Sequence, residues 1–368
     1  MLARLGLAIL ASAAVAVAIA AERPAPAPRT APLDHDAYVW QRRWTGAVRQ
    51  AVATAPGELG GLRVLAVEVE PARAAWAEVD VAALVAAGRP VTAVVRVDGA
   101  RLPAAVPMAA VVARVLAWRA AGVAVVGVEI DHDCASAALP DYAAWLARSR
   151  PPAPLRFSIT ALPAWADAPG LGAVAAAVDE VVVQVHTVRA PVLFDRAAAQ
   201  AALVRFAATV PATSLRVALP TYDAVVDGAL ARSRPTEVAA MVRWLERGGA
   251  PPIRGVVWFR LPVAGEPRAW PTATLVAVIR GAPLQAAVAT DVVATGPGRV
   301  DLIIRNTGTL PAPWPALALG GVVGSADLIG GYVARAERRF TPPARELAPG
   351  ATAVVGWATG TEVTLDAL

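Results

Sequence analysis

The chain has 368 residues, of which 57% are hydrophobic and 17% charged, a balance that excludes a disordered polypeptide and allows one large core with a smaller second domain. Three histidines and one cysteine exclude a zinc module built from those residues and any internal disulfide framework. The net charge of +5 rests on arginine alone, and the arginines are scattered rather than stacked in a stripe, which argues against nucleic acid as a partner.

Residues 1–4 form a short positive start and residues 5–20 an unbroken apolar run that ends in the small-x-small pattern Ala18-Ile19-Ala20. This is the layout of a secretory signal peptide, assigned to 1–21, with a proline-rich linker over 22–33. An uncleaved membrane anchor is the alternative, because the run is only slightly short of a bilayer span. A cleaved signal implies a periplasmic or secreted protein, with the membrane as a partner only if the segment is retained.

From residue 34 short β-branched runs alternate with alanine- and arginine-rich helical stretches. Strands are predicted over 37–40, 62–70, 90–98, 123–133, 155–162, 180–188, 215–222 and 253–261, with amphipathic helices over 108–121, 141–148, 194–208 and 236–247. Strands separated by helices read as parallel βαβ units, and eight of them over 34–281 predict an α/β fold of the (β/α)8 TIM barrel type. An open doubly wound sheet would call for a glycine-rich phosphate turn after the first strand, and the sequence has none. After residue 280 the period changes. Short candidates over 286–294, 299–306, 316–319, 351–357 and 362–365 between turn residues predict a small antiparallel β-sandwich domain over 282–368.

Side chains alternate faces along a strand, so parity predicts which residues enter the barrel. In the fourth predicted strand Val126, Val128 and Ile130 pack outward, while Glu129, Asp131 and Asp133 point in. The same rule sends Glu68 and Glu70, Arg96 and Asp98, Ser158 and Thr160, Gln184 and His186, Tyr222, and Trp258 with Arg260 toward the axis. For the deeper acids Glu68 and Glu129 the simpler reading is a lumenal salt-bridge network with Arg42, Arg96 and Arg260. Asp131 and Asp133 lie at the C-terminal mouth, where barrel enzymes build their sites. Two carboxyls at i and i+2 perturb one another, so one can hold a proton while the other stays ionised, the division acid/base work on an acetal needs. Trp40, Tyr222 and Trp258 supply flat apolar surfaces suited to sugar faces. His186 is placed to bind substrate or tune Asp133, and no metal or other cofactor is expected, since the His-x-His pair of metal-dependent barrel hydrolases is missing.

Five segments, Asp34-His35-Asp36-Ala37-Tyr38-Val39-Trp40-Gln41-Arg42-Arg43-Trp44, Gly127-Val128-Glu129-Ile130-Asp131-His132-Asp133-Cys134, Ser158-Ile159-Thr160-Ala161-Leu162-Pro163-Ala164-Trp165, Val183-Gln184-Val185-His186 and Ala218-Leu219-Pro220-Thr221-Tyr222, together resemble the bacterial family called domain of unknown function 3142. At one remove the strand-end layout is similar to family-18-type glycoside hydrolases, the chitinases and their relatives. That resemblance implies Asp133 as the general acid, Asp131 as its ionised neighbour and Glu129 as the inner carboxylate, with Tyr222 and Trp258 lining the sugar site. The terminal residue is one methylene shorter than the glutamate of that pattern, which brings Glu70 and Asp98 into consideration as further carboxylates. The expectation is an exported glycoside-hydrolase-like protein acting on an envelope or extracellular polysaccharide, with a non-catalytic glycan-binding or structural envelope protein as the alternative.

Overall fold

The computed structural model describes residues 32–70, 73–99, 102, 107–186, 191–249 and 253–368. The signal segment assigned to 1–21 and all but the last two residues of the linker assigned to 22–33 lie outside the described residues, as does the end of the strand predicted over 180–188. In chain order the first part comprises β1 (Asp34–Val39), α1 (Gly46–Ala53), β2 (Gly61–Glu70), β3 (Arg73–Trp76), α2 (Val81–Ala87), β4 (Val91–Val97), α3 (Met108–Ala120), β5 (Val125–His132), α4 (Leu139–Ser149), β6 (Arg156–Ala161), α5 (Leu171–Ala176), β7 (Glu180–Gln184), α6 (Arg196–Phe206), β8 (Leu215–Pro220), β9 (Ala224–Val226), β10 (Ala229–Ala231), α7 (Pro235–Glu246), β11 (Gly255–Phe259) and α8 (Thr272–Arg280). Strands β1, β2, β4, β5, β6, β7, β8 and β11 pair in parallel, and β1 pairs with both β11 and β2, which closes the (β/α)8 barrel. Strand β3 folds back antiparallel on β2 as a hairpin outside the ring.

Outward residues of the strands, Val128, Ile130, Val183 and Val217 among them, join helix residues such as Val115, Trp118, Leu146 and Leu203 in one core. Capping side chains fix several helix starts: Thr45 accepts from the Val48 amide, Asp80 from Ala83 and Asp195 from Ala198. Inside the barrel, Tyr38, Val94, Val182, Ala218 and Val257 form a separate apolar layer, with Trp40 and Phe259 packed on it. A filled lumen of this kind makes the barrel a packed core rather than a pore.

The lower lumen, near the strand starts, carries a buried ion network. Arg63 reaches Glu129 and Glu180, and Arg216 donates its Nε to Glu180 at 2.8 Å. Glu129 also accepts from the Tyr38 hydroxyl at 2.8 Å and from Ser158 at 3.1 Å. Arg63 enters because β2 departs from alternation: its register against β4 shifts between Leu65 and Val67, leaving Ala66 as an extra residue. The bulge places odd-numbered Arg63, and with it Leu65, on the side that even-numbered Glu68 occupies above it, so Leu65 does not pack outward as simple parity predicts.

The second part is antiparallel: β12 (Val288–Gly296), β13 (Arg299–Asn306), β14 (Ala312–Pro313), β15 (Leu317–Leu328), β16 (Val333–Ala334), β17 (Arg339–Thr341), β18 (Glu346–Leu347) and β19 (Thr352–Ala367). Six strands form one sheet in the order β12-β13-β19-β15-β17-β16, and β14 with β18 makes a two-stranded ribbon whose Leu347 shares the core of Leu302, Ile304, Leu317 and Val355. The expected second layer of the sandwich is thus this short ribbon. Thr274 of α8 donates to the Thr309 carbonyl at 2.7 Å, tying the barrel to the loop that precedes the ribbon.

Two measurements test this core. A Cβ on Gly255 would collide with the carbonyl oxygen of Asp34 on the neighbouring strand, so Gly255→Ala is expected to lower stability by about 1–3 kcal/mol in urea unfolding. Arg63→Met would leave Glu129 and Glu180 short of a buried cation, with an expected loss of about 3–5 kcal/mol. Acid acts on the same network. Burial raises the Glu180 carboxyl, but Arg63 and Arg216 outweigh burial and hold its pKa at about 2, below the ordinary 4.5. Its stabilisation is present above pH 4.5 and is lost as the pH falls toward 2. Glu129 and Asp131, raised mainly by burial, act in the opposite direction. Urea midpoints measured against pH should decline across that window, and Glu180→Gln, less stable near neutrality, should show a flatter acid limb.

Candidate active site

At the C-terminal mouth, strand register aligns the charged residues. Glu68 of β2 pairs with Arg96 of β4, and Arg96 pairs with Asp131 of β5. Three acids consequently share one guanidinium group: Arg96 Nη1 donates to Asp131 at 2.7 Å, Nη2 to Asp133 at 2.9 Å and Nε to Asp98 at 2.9 Å. Asp131 is 2% exposed and accepts further bonds from the Thr160 hydroxyl at 2.6 Å and the Gln184 amide at 3.1 Å. Burial pushes its carboxyl above the ordinary range, with Arg96 and Thr160 opposing that shift. Asp133 differs. Its side chain is 42% exposed, and Arg96 holds one of its oxygens. The alternation predicted for this strand is observed from Gly127 onward, with Asp131 and Asp133 facing the axis and His132 buried outward, its Nδ1 3.1 Å from the Val97 carbonyl, whereas Val126, expected to pack outward, is exposed beside a register shift at the strand start.

Above Asp131 lies a cavity of about 310 Å³, walled by Trp40, Arg42, Glu68, Asp98, His186, Tyr222 and Phe259 among others. Arg42 grips Glu68 through two hydrogen bonds, so this acid is a paired wall residue. The aromatic groups hold one another: His186 stacks on Phe259 with centroids 5.5 Å apart, Tyr222 meets the edge of His186 at 6.2 Å, and Trp40 meets Phe259 at 5.2 Å. Burial lowers the His186 pKa to about 4, so the ring is neutral near pH 7, and its Nδ1 has no hydrogen-bond partner. Trp40 and Arg42 also border a second recess, of about 460 Å³, that contains Gln41, Arg43, Arg260 and Glu266. Mouth and recess therefore adjoin across Trp40.

The structure brings Asp131, Asp133, Asp98, Gln184, His186, Tyr222 and Trp40 together at the mouth. Four expected site residues lie elsewhere. Glu129 belongs to the buried network below, neutralised by Arg63 and not by Arg42, Arg96 or Arg260. Glu70 ends β2 beyond the barrel and pairs with Arg73 across the β2–β3 hairpin at 2.8 Å, because the hairpin carries the strand past the ring. Trp258 faces outward, fully buried, with its indole N–H 3.2 Å from His35 Nδ1, because β11 turns Val257 and Phe259 inward. Arg260 lines the second recess, where Glu266 takes it at 2.9 Å. Sequence reasoning missed Phe259 at the mouth and Arg63, Glu180 and Arg216 below it. The signal for Arg216 is a lone charge inside an otherwise apolar strand, and that for Arg63 is a charge set five residues before Glu68 in an apolar run.

Among the described residues no group of three or more His, Cys, Asp and Glu side chains is arranged to hold a metal ion. His35 and the Asp131–Asp133 pair sit at opposite ends of the barrel, His35 lining a cavity at the strand starts. Cys134, the sole thiol, is buried, and burial pushes its pKa up to about 11. No described helix is long and apolar enough to cross a membrane.

Comparison with known proteins places this geometry. No curated protein matches the chain. The spore cortex-lytic enzyme SleL of Bacillus megaterium QM B1551 superposes with a TM-score of 0.51 at 11% identity, over 71% of this chain and 76% of its own. A chitinase from Chromobacterium violaceum ATCC 12472 superposes with a TM-score of 0.50 at 12% identity, over 67% of this chain and 98% of its own. A class V chitinase from Pseudomonas fluorescens Pf-5 gives 0.50 at 13% identity, over 68% and 100%. At these identities the likeness is one of fold, the chitinase-like barrel. Residues 87–264, a span holding six of the eight barrel strands and both mouth aspartates, match the family model described as domain of unknown function (DUF3142).

Proposed function

We propose that the chain is an exported glycoside-hydrolase-like protein that acts on an envelope or extracellular polysaccharide, cutting a glycosidic bond with acid assistance. The observation that carries this reading is the mouth cavity: a buried carboxyl with a raised pKa at its base, tied through Arg96 to the more exposed Asp133, and a wall that includes Trp40, Tyr222 and Phe259. The sugar ring packs its apolar face on Trp40, Tyr222 or Phe259. Asp133, the more exposed acid, reaches the glycosidic oxygen and delivers the proton; the leaving sugar departs as its alcohol while the acetamido oxygen of an N-acetylated substrate takes the anomeric carbon, and water then completes the hydrolysis. Asp131 is the buried partner that takes a proton when the pair is loaded, its charged form disfavoured by desolvation. Arg96 keeps one positive charge between them, and a sugar entering the cavity competes for the bond from Arg96 to Asp133. The neighbouring recess across Trp40 extends the surface along which a chain of sugars can lie. Export rests on the apolar run over residues 5–20 with its small-residue boundary.

A second reading, a glycan-binding protein without turnover, draws on the same Arg96. Bonded to both Asp131 and Asp133, it keeps Asp133 in an ion pair unless substrate displaces it.

Incubation with a panel of neutral and N-acetylated oligosaccharides, read by new reducing ends, separates the two. Hydrolysis predicts that Asp133→Asn lowers kcat by at least about 100-fold with little change in binding. Asp131→Asn should also slow turnover and shift the pH profile, because activity that needs the proton falls as the pH rises through the raised Asp131 pKa. Binding that survives both substitutions, with no reducing ends from the wild-type protein, establishes the second reading instead.

A further inference from the structure

The larger cavity of the barrel is at the other end. It occupies about 530 Å³ among the strand starts, against about 310 Å³ at the mouth, and falls in the size range of small-molecule sites. Strands β2, β5 and β11 carry glycine at their lowest inward positions, Gly61, Gly127 and Gly255, and the first two of these line the cavity, where a side chain would narrow it. Strand packing is close at all three: an added Cβ would stand 2.9 Å from Asp36 Oδ1 at Gly61 and 2.7 Å from the Arg156 carbonyl oxygen at Gly127, and would strike the Asp34 carbonyl at Gly255.

The wall of this cavity has more donors than acceptors. Arg156, Arg216 and Arg254 converge on a single oxygen, Glu180 Oε2, at 3.9, 2.8 and 3.6 Å. Asp34 takes Arg216 and Arg254 at 3.2 Å each. Arg216 is only 4% exposed, yet its Nη1 makes no hydrogen bond and stands 3.4 Å from Asp36 as an ion pair alone. Nε of buried Arg63 is likewise without a partner. Arg156 has the long 3.9 Å ion pair and no side-chain hydrogen bond among the described residues. Buried guanidinium groups are normally satisfied, and here Arg216 and Arg63, each with one unpaired nitrogen, belong to side chains that line the cavity.

We infer that the barrel floor binds a small molecule through an oxyanionic group, a carboxylate or phosphate, that bridges Arg156, Arg216 and Arg254. The planar forks of these side chains suit two-oxygen acceptors. Asp34, Asp36 and Glu180 already balance the positive charge, so selectivity comes from hydrogen bonds in a confined space rather than from excess charge. The site is separate from the mouth, and its occupancy does not depend on the proposed glycosidase activity.

Thermal unfolding of the full chain in sodium phosphate, sodium acetate or sodium chloride at matched ionic strength tests the inference. Phosphate or acetate at ten times its dissociation constant is expected to raise Tm by about 2 °C beyond chloride. Which of the two does so identifies the tetrahedral or planar head. The Arg156→Gln/Arg254→Gln variant, altered at side chains 44% and 33% exposed and so suited to folding, should lose that increment. Arg42→Gln at the mouth should keep it. Should the double variant fold poorly, Arg254→Gln alone should weaken binding about tenfold in calorimetry. An increment equal to that of chloride, or one unchanged by these substitutions, overturns the inference.

Discussion

Charge enclosed at a barrel axis is tolerable only as a complete set. Arg63, 3% exposed, stands between Glu129 and Glu180, and Arg216 closes the set from β8, the strand beside that of Glu180. Each ion there pays several kcal/mol of desolvation, which close partners and additional hydrogen bonds recover, and the loss of one member strands the others. Tyr38 and Ser158 supply those additional bonds on Glu129. Because these residues come from β1, β2, β5, β6, β7 and β8, the set also fixes how the strands stagger around the axis. The mouth inherits its geometry from that stagger: once β4 and β5 are in register, Arg96 has no choice but to face Asp131.

Much of this was legible in the sequence. Eight strand–helix units gave the barrel, and alternation in Gly127-Val128-Glu129-Ile130-Asp131-His132-Asp133 placed its three acids and the outward His132 correctly. Alternation succeeds there because alternate positions differ so sharply in polarity that only one facing is affordable. It fails in β11, whose Gly255-Val256-Val257-Trp258-Phe259 has no charge to declare a side. Size and aromaticity made Trp258 look like a platform, while a bond to His35 holds it beneath the helices. It fails again in β2, where polar residues at 63 and 68 are an odd number apart, a spacing that a regular strand cannot place on one face and a bulge can.

The identity of the counter-ions was not legible, because pairing across a barrel depends on neighbours distant in sequence. Arg63 and Glu180 are 117 positions apart. Glu70 shows the converse. Parity put it inward, yet the β2–β3 hairpin gives it Arg73 three residues away, and a local partner in solvent is cheaper than a distant one in the lumen. The C-terminal sheets show a third limit: the candidates at 316–319 and 351–357 are the opening turns of strands that run on for 12 and 16 residues, through glycine and threonine positions that read as breaks.

The extra residue at Ala66 does more than admit Arg63. It splits β2 into two halves that run in opposite phase, so the ion network below and the acid-lined opening above are written in separate reading frames of the same strand. A substitution in one half need not disturb the spacing of the other. A single-residue deletion at this point would restore one phase along the whole strand and turn either the ion network or the acids of the opening to the wrong face.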